Sequence, residues 1–246
     1  MLIIADSRMP EPARQRLETM GETLWIPLQK HVYQSIAAHP DIFFCQSRCQ
    51  THECFIAAPN APAEITEKLI QAGAKVFIGR KKVGGKHPET VYYNAVFTDS
   101  FFIHNTKLSD ETLLRHTAGK KIIHTTQGYT RCNLLPLSDT AFLCSDKNME
   151  KNLLRQGVAV LFVRPEEILL PGVRHGFIGG CCGVFEKTAV IIGSLSKHPQ
   201  GGEVRQFLEN NSMEIIELYD GPLWDGGGVL FYRQPPKPQN QGTVGE

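Results

Sequence analysis

The feature that most constrains this fold is a recurring order of segments: a strand hairpin, an amphipathic helix and a third short strand. Runs rich in aromatic or β-branched residues open these units at His39, Tyr93, Arg131, Gly180 and Asp225. Turn residues and second strands follow, and helical apolar spacing comes next. Repetition of one such unit predicts an array in which neighbouring units bury each other's apolar faces.

The helical segments carry recognisable stop signals. The apolar spacing predicts four helices at corresponding places in the first four units, over residues 63–72, 110–118, 148–156 and 203–210. The first three are each followed by a glycine: Gly73, Gly119 and Gly157. Glycine is the residue that most often ends a helix, so these positions predict where the three helices stop.

The two ends of the chain complement each other. The fifth unit stops after its first strand, whereas the N-terminus supplies a strand over 2–5, a helix over 10–20 and a strand over 23–26. Joining them removes the open edges that separate small sheets would expose. We therefore predict an α/β fold, a five-bladed pseudo-symmetric αβ-propeller of ββαβ units closed by strands from both termini. An irregular α/β sandwich is the alternative.

This interpretation makes residues 1–234 a single domain. Its fifth blade is shared by residues 1–30 and 219–234. Residues 235–246, rich in Pro, Gln and Gly, are predicted to form a flexible tail.

Composition excludes several functions. Twenty-six basic and 25 acidic residues leave a net charge of +1, without the basic excess expected of a nucleic-acid-binding protein. Apolar runs are too short for a membrane span, and no secretory signal is recognisable. Seven cysteines, an odd number, fit reduced thiols and a cytoplasmic location. A homo-oligomer is compatible with all of this.

The sequence predicts no cofactor and no metal. Residues 79–86 miss the phosphate-loop spacing by one residue, and no dinucleotide-binding glycine motif occurs. Cys45, Cys49 and Cys54, with His52 between them, invite a zinc interpretation. Their spacings match no common zinc knuckle, and a second half-site is missing.

The ring of five ββαβ units resembles the pentein fold. That superfamily includes arginine and agmatine deiminases, dimethylarginine dimethylaminohydrolases and amidinotransferases, and the non-enzymatic ribosome anti-association initiation factors are similar in fold. Three segments carry the resemblance: HPDIFF at 39–44, GGCCGVF at 179–185 and WDGGGVLF at 224–231. The resemblance implies that an acid beside a proline in the first blade, here Asp41, binds a substrate amine or guanidine.

Two departures set this chain apart from the deiminases. Their catalytic cysteine follows the last glycines, but here Gly228 is followed by Val229, Leu230 and Phe231. Their third-blade histidine is replaced by the segment 131–133, Arg-Cys-Asn. The standard deiminase mechanism is therefore not expected.

Candidate site residues are those that open the first strands, because these ends converge on the axis of a closed propeller. The catalytic candidates are Cys182, Cys132 and His39. The substrate-binding candidates are Asp41, Asn94, Arg131, Asn133 and Asp225. Thiol, imidazole and carboxylate are the groups that covalent attack requires. The alternatives are that the cysteines are small buried hydrophobes and that residues 39–41 form a capped turn.

The functional hypothesis is a central polar pocket for a small amino-acid-like or guanidino ligand. If the protein is an enzyme, it is a cysteine-dependent hydrolase or transferase of C–N bonds that uses non-standard positions. The alternative is a non-catalytic binding protein of the same fold, such as a ribosome- or protein-interacting factor. Arg131 either grips a ligand carboxylate in bidentate fashion or pairs with Asp41 or Asp225.

Overall fold

Five small sheets make up the fold. In the computed structural model, which describes residues 1–49 and 52–235, fifteen strands form five three-stranded sheets. The strands are β1 Leu2–Asp6, β2 Glu22–Ile26, β3 Phe44–Cys49, β4 His52–Ala57, β5 Lys75–Ile78, β6 Val96–Phe97, β7 Phe101–His104, β8 Lys121–His124, β9 Leu134–Pro136, β10 Ala141–Cys144, β11 Ala159–Phe162, β12 Cys182–Phe185, β13 Thr188–Ile191, β14 Glu214–Glu217 and β15 Leu230–Tyr232. The helices are α1 Glu11–Glu18, α2 Pro40–Phe43, α3 Ala63–Gln71, α4 Glu111–Arg115, α5 Thr130–Asn133, α6 Lys147–Leu154 and α7 Gly201–Asn210.

Every sheet repeats one arrangement. A middle strand pairs antiparallel with an inner strand and parallel with an outer strand that follows the helix. The orders, written from inner to outer, are β3-β4-β5, β6-β7-β8, β9-β10-β11, β12-β13-β14 and β15-β1-β2. The predicted five-bladed α/β architecture is confirmed.

The fifth blade closes the ring with both ends of the chain. Strand β1 lies between the C-terminal β15 and the N-terminal β2. Its register places Leu2 opposite Tyr232 and Ile3 opposite Phe231. Inner strands of neighbouring blades are in contact, β3 with β6, β9 with β12 and β12 with β15, so they surround the axis.

The start of the inner strands differs from the prediction. Residues expected to open the first and third strands instead form single helical turns, α2 and α5, and residues 179–181 form a 3₁₀ turn before β12. Pro40 supplies the helical φ of the first turn, and a short apolar run does not distinguish a strand from a buried helical turn. The candidate site residues of blades one and three therefore stand on helical turns.

Two predicted glycine stops lie just beyond a helix end, whereas α4 ends at Arg115 rather than at the predicted residue 118. Gly73 follows α3 with a φ of 92°, and Gly157 follows α6 with a φ of 78°. These left-handed conformations suit glycine because it lacks a Cβ. None of the helices in the described parts of the chain combines the length and apolarity needed to cross a membrane.

Asp110 joins the first two blades. Its carboxylate accepts hydrogen bonds from the backbone N–H of Thr112 at 2.8 Å, of Arg80 at 2.9 Å and of Lys81 at 2.8 Å. The Tyr93 hydroxyl donates to the same carboxylate at 3.0 Å. The side chain thus caps α4 and also fixes the loop that follows β5. Although burial acts in the opposite direction, these donors hold the pKa of Asp110 below its ordinary value.

Replacing Asp110 with alanine is expected to cost about 2 kcal/mol of unfolding free energy, because a helix cap is lost and buried N–H groups lose their acceptor. Asp146→Ala is the matched control. Among the described contacts, the Asp146 side chain makes one hydrogen bond, which it accepts from the Met149 N–H to cap α6. Its expected cost is about 1 kcal/mol. Urea unfolding of both variants checks the difference, and equal losses would contradict the bridging role of Asp110.

Candidate functional site

A cavity of about 220 Å³ lies at the centre of the ring. Residues of the inner strands of all five blades line it, together with the hairpin turns of the second and third blades. Its polar lining includes Ser47, Glu53, Asp99, Arg131 and Asp139. A volume of this size suits a ligand smaller than most drug-like molecules.

Arg131 is held rigidly at one end of this cavity. Its Nη1 donates to the carbonyl oxygen of Gly179 at 2.6 Å and its Nη2 to that of Cys182 at 3.0 Å. These bonds tie α5 of the third blade to the fourth blade. A guanidinium has five N–H donors, so three remain without a hydrogen-bond partner among the described residues. Arg131 therefore presents a fixed positive charge with spare donors.

Carboxylates lie at the other end of the inner strands. Asp99 is in the turn between β6 and β7, and Asp139 is in the turn between β9 and β10. The Asp139 carboxylate accepts from the Ser100 hydroxyl at 2.6 Å and from its N–H at 3.1 Å. Arg131 precedes β9 and Asp139 follows it, so the cavity is positive at one end and negative at the other.

A separate buried cluster stands behind Arg131, on α2 and α5. The Cys132 thiol donates to Asp41 Oδ2 at 2.9 Å. One atom each from His39, Asp41 and Cys132 lies within 4.8 Å of the other two. Asn94 clamps the two helices together, because its Oδ1 accepts from the Arg131 N–H at 2.7 Å while its Nδ2 donates to the Asp41 carbonyl at 3.3 Å.

Burial dominates the electrostatics of this cluster. It raises the pKa of Asp41 to about 6, and the Cys132 thiol and the Arg131 charge counter the shift only in part. It also raises the pKa of Cys132 well above that of an ordinary thiol, and the Asp41 charge adds to the shift. Burial lowers the pKa of His39, although Asp225 and Asp6 favour its charged form. Burial therefore favours the protonated thiol and the uncharged imidazole.

Two further carboxylates flank the cluster. Asp225 accepts from the Phe177 N–H at 2.8 Å and the Gly227 N–H at 3.0 Å, and burial raises its pKa to about 6. Asp6 is buried and ion-paired with Arg8, with the shortest N–O distance at 2.5 Å. Its Oδ2 also lies 3.8 Å from His39 Nε2.

The predicted site residues fall into two groups. Arg131 lines the cavity, whereas seven others do not: His39, Asp41, Asn94, Cys132, Asn133, Cys182 and Asp225. Asn133 donates to the Tyr129 carbonyl at 2.8 Å, and Cys182 packs in the apolar core between blades three and four. The cavity therefore does not contain all of the predicted residues. Asp41, Cys132 and Asn133 stand on the helical turns α2 and α5 rather than on strands. Their functional roles stay predictions.

Arg131 makes neither of the ion pairs proposed as an alternative. No salt bridge joins its guanidinium to Asp41 or Asp225 in residues 1–49 and 52–235, and one N–H of each Nη atom donates to a backbone carbonyl. Sequence reasoning missed Glu53, Asp99 and Asp139 as cavity residues. The signal that could have identified them is the recurrence of an acid at or beside the hairpin turn of three successive blades.

Of the hairpin cysteines, Cys45 and Cys54 are bonded otherwise than in the zinc site considered above. The Cys45 thiol is buried and donates to the Ala95 carbonyl at 3.4 Å. Cys54 is in a disulfide bond, which corrects the expectation that every thiol is reduced. The side chains of Cys49 and His52 lie outside the described residues. The predicted tail also falls there from residue 236 onward.

Solved structures show what this fold is similar to. A mutant dimethylarginine dimethylaminohydrolase from Pseudomonas aeruginosa, complexed with citrulline, has 12% identity and a TM-score of 0.54, with 88% of this chain and 91% of that chain covered. An amidinotransferase of saxitoxin biosynthesis from Microseira wollei has 13% identity and a TM-score of 0.54, with 95% and 94% covered. Agmatine deiminase from C. jejuni has 10% identity and a TM-score of 0.50, with 88% and 74% covered. The chain therefore has the pentein fold.

At the level of sequence, the chain matches one family model and no curated protein. A family model described as a family of unknown function (DUF6873) matches residues 4–230. No curated protein matches the chain.

Proposed function

We propose that this chain, which belongs to the family of unknown function DUF6873, binds a small amino-acid-like ligand in its central cavity without cleaving it. The observation that carries the proposal is the charge arrangement of the cavity. Arg131 stands at one end with three spare N–H donors, and Glu53, Asp99 and Asp139 line the same cavity. A ligand with a carboxylate and a separate cationic group matches both ends.

Another polar group supports this ligand class. The Ser47 hydroxyl oxygen is buried, lines the cavity and has no hydrogen-bond partner in the described parts of the chain. Burying a hydroxyl without a partner is unfavourable. A rotation of the Ser47 side chain would bring the buried hydroxyl to a ligand in the cavity and supply the missing hydrogen bond. One of the similar structures is complexed with citrulline, an amino acid of suitable size for a cavity of 220 Å³.

The cavity chemistry favours binding over catalysis. The cysteine that lines the cavity is Cys45. Its thiol is buried and donates a hydrogen bond to a carbonyl oxygen, and burial raises the pKa of this thiol to about 12. A thiol of that pKa is almost wholly protonated at neutral pH and is a poor nucleophile. No histidine lines the cavity among the described residues, so the imidazole that commonly activates a thiol is not found there.

Calorimetric titration with L-arginine and agmatine tests the proposal, because agmatine is arginine without the carboxylate. We expect wild-type protein to bind arginine at least about tenfold more tightly, the value of one charge-assisted hydrogen bond. Arg131→Gln should remove most of this difference. Arg80→Gln is the matched control, since Arg80 is exposed and outside the cavity, and it should leave the difference unchanged.

The comparison of two ligands on the wild-type protein keeps the test decisive even if Arg131→Gln folds poorly. Equal binding of arginine and agmatine, or no binding of either, would overturn the carboxylate assignment. The same mixtures should release neither citrulline nor ammonia above the level of a Cys45→Ala variant. Turnover that depends on Cys45 would instead show that the cavity is catalytic.

A further inference from the structure

We propose that His39, Asp41 and Cys132 form a binding site for a divalent zinc-class metal ion, buried behind Arg131 and separate from the central cavity. An imidazole nitrogen, a carboxylate oxygen and a thiol sulfur from these residues all lie within 4.8 Å of one another. Donor atoms bound to one tetrahedral zinc ion are about 3.5 Å apart, given bond lengths of about 2.0–2.3 Å. Small side-chain adjustments therefore bring the three donors around one ion.

Buried nitrogen and oxygen atoms without hydrogen bonds point to a ligand at this place. Both ring nitrogens of His39 and the Oδ1 atom of Asp41 are buried and make no hydrogen bond of normal length and angle within the described part of the chain. Buried polar atoms without partners are rare in folded proteins because they lose their hydration without compensation. A metal ion would supply the missing interaction to His39 and Asp41 together.

The charge of the surroundings also suits a divalent cation. Asp6, Asp41 and Asp225 contribute three negative charges, and Arg8 and Arg131 contribute two positive charges. The formal charge of these five groups is then −1. Zinc binding forms a zinc–sulfur bond, breaks the S–H bond and releases one proton to the solvent. Two positive charges gained and one proton lost bring the sum to zero.

The donor types narrow the choice of metal. A mixture of nitrogen, oxygen and thiolate sulfur suits zinc and cobalt, whereas magnesium and calcium prefer oxygen ligands alone. Tyr33, which is partly exposed, interacts electrostatically with both Asp41 and Cys132. The ligands lie on α2 and beside it, and on α5, so a bound ion would clamp the first blade to the third.

Zinc titration of chelator-treated full-length protein against a chromophoric zinc chelator tests the site. We expect one zinc ion per chain and the release of about one proton, measured by calorimetry in two buffers of different ionisation enthalpy. Cobalt in place of zinc should give a thiolate-to-metal charge-transfer band in the near ultraviolet. Cys132→Ala and His39→Gln should each weaken zinc binding by more than about 100-fold, since even outer-shell changes cost 10–100-fold.

Two cysteines serve as matched controls. Cys181→Ala removes another buried free thiol near the axis, and Cys45→Ala removes the cavity thiol. Both should keep one zinc ion and the cobalt band. The proposal is overturned if Cys132→Ala binds zinc like the wild type, if the band is missing in the wild type, or if Cys45→Ala abolishes it. If Cys132→Ala fails to fold, the cobalt spectrum of the wild type and zinc binding by His39→Gln still test the proposal.

The proposal of a metal site and the proposal of a ligand cavity can be overturned independently of each other. Arg131→Gln should leave zinc stoichiometry at one per chain, because Arg131 is not a proposed metal ligand. His39→Gln should in turn leave the preference for arginine over agmatine unchanged, because His39 does not line the cavity.

Discussion

A chain that lacks residues 1–8 is expected not to fold. These residues contain β1, the middle strand of the fifth blade, and all five of its residues are buried. Burial of Leu2, Ile3 and Ile4 alone stabilises the fold by roughly 6 kcal/mol, at about 2 kcal/mol for each side chain. The free energy of unfolding of a whole domain is typically about 5–15 kcal/mol, so this single loss is a large part of it.

Strand pairing adds to the effect of this deletion. Strand β1 hydrogen-bonds to β15 on one side and to β2 on the other, so its removal leaves two unpaired strand edges. Far-ultraviolet circular dichroism and size-exclusion chromatography of the truncated protein check the prediction. Deletion of residues 236–246 is the control and should be nearly neutral if the predicted tail is correct. A stable monomer without residues 1–8 would contradict closure of the ring by both termini.

Gly179→Ala is expected to destabilise the protein by about 3 kcal/mol, the upper range for overpacking a tightly packed site. A Cβ atom at this position would lie 2.2 Å from the carbonyl oxygen of Arg131 and 2.7 Å from that of Cys132. Both contacts are with backbone, which a rotamer change cannot move. The 3₁₀ turn of the fourth blade and α5 of the third would therefore have to separate.

Gly202→Ala in α7 provides the comparison for this glycine. A Cβ atom there has nothing within 4 Å among the described residues, and alanine is favoured over glycine in a helix. We expect this variant to gain about 0.5 kcal/mol. Urea unfolding of both variants measures the two effects. A loss below about 1 kcal/mol for Gly179→Ala would show that the third and fourth blades are less tightly joined at the axis than the structure indicates.

The close contact at Gly179 has a functional consequence. The Gly179 carbonyl also accepts from Arg131 Nη1, so the same contact that excludes a methyl group fixes the guanidinium at the end of the cavity. Gly179→Ala should therefore weaken binding of a ligand carboxylate as well as lower stability. In this way the packing of two blades sets the geometry of the proposed binding group.

The architecture could be predicted from the amino-acid sequence because its determinants are local. The repeated hairpin and helix signals, together with glycines such as Gly73 and Gly157, act within a few residues, and they mark the blades correctly. Complementary ends could be predicted for the same reason, since a missing strand at one terminus and an extra strand at the other are visible without coordinates.

The candidate site could be predicted only in part. Its residues were found from their positions at the starts of the inner strands, and His39, Asp41 and Cys132 do lie together. Which of them share the cavity with Arg131 depends on side-chain direction, and α2 and α5 space side chains differently from continuous strands. A one-turn helix and a strand differ little in local sequence, so no short pattern shows this difference.

Local pattern thus determined the order of elements, the number of blades and the closure by both termini. Tertiary structure alone decided that Arg131 faces the cavity while its neighbour Cys132 faces Asp41, which is 91 residues away in the chain. The physical reason is that strand and helix signals arise from neighbouring residues. A cavity and a buried polar cluster arise instead from distant segments, and their geometry is set by how the blades pack around the axis.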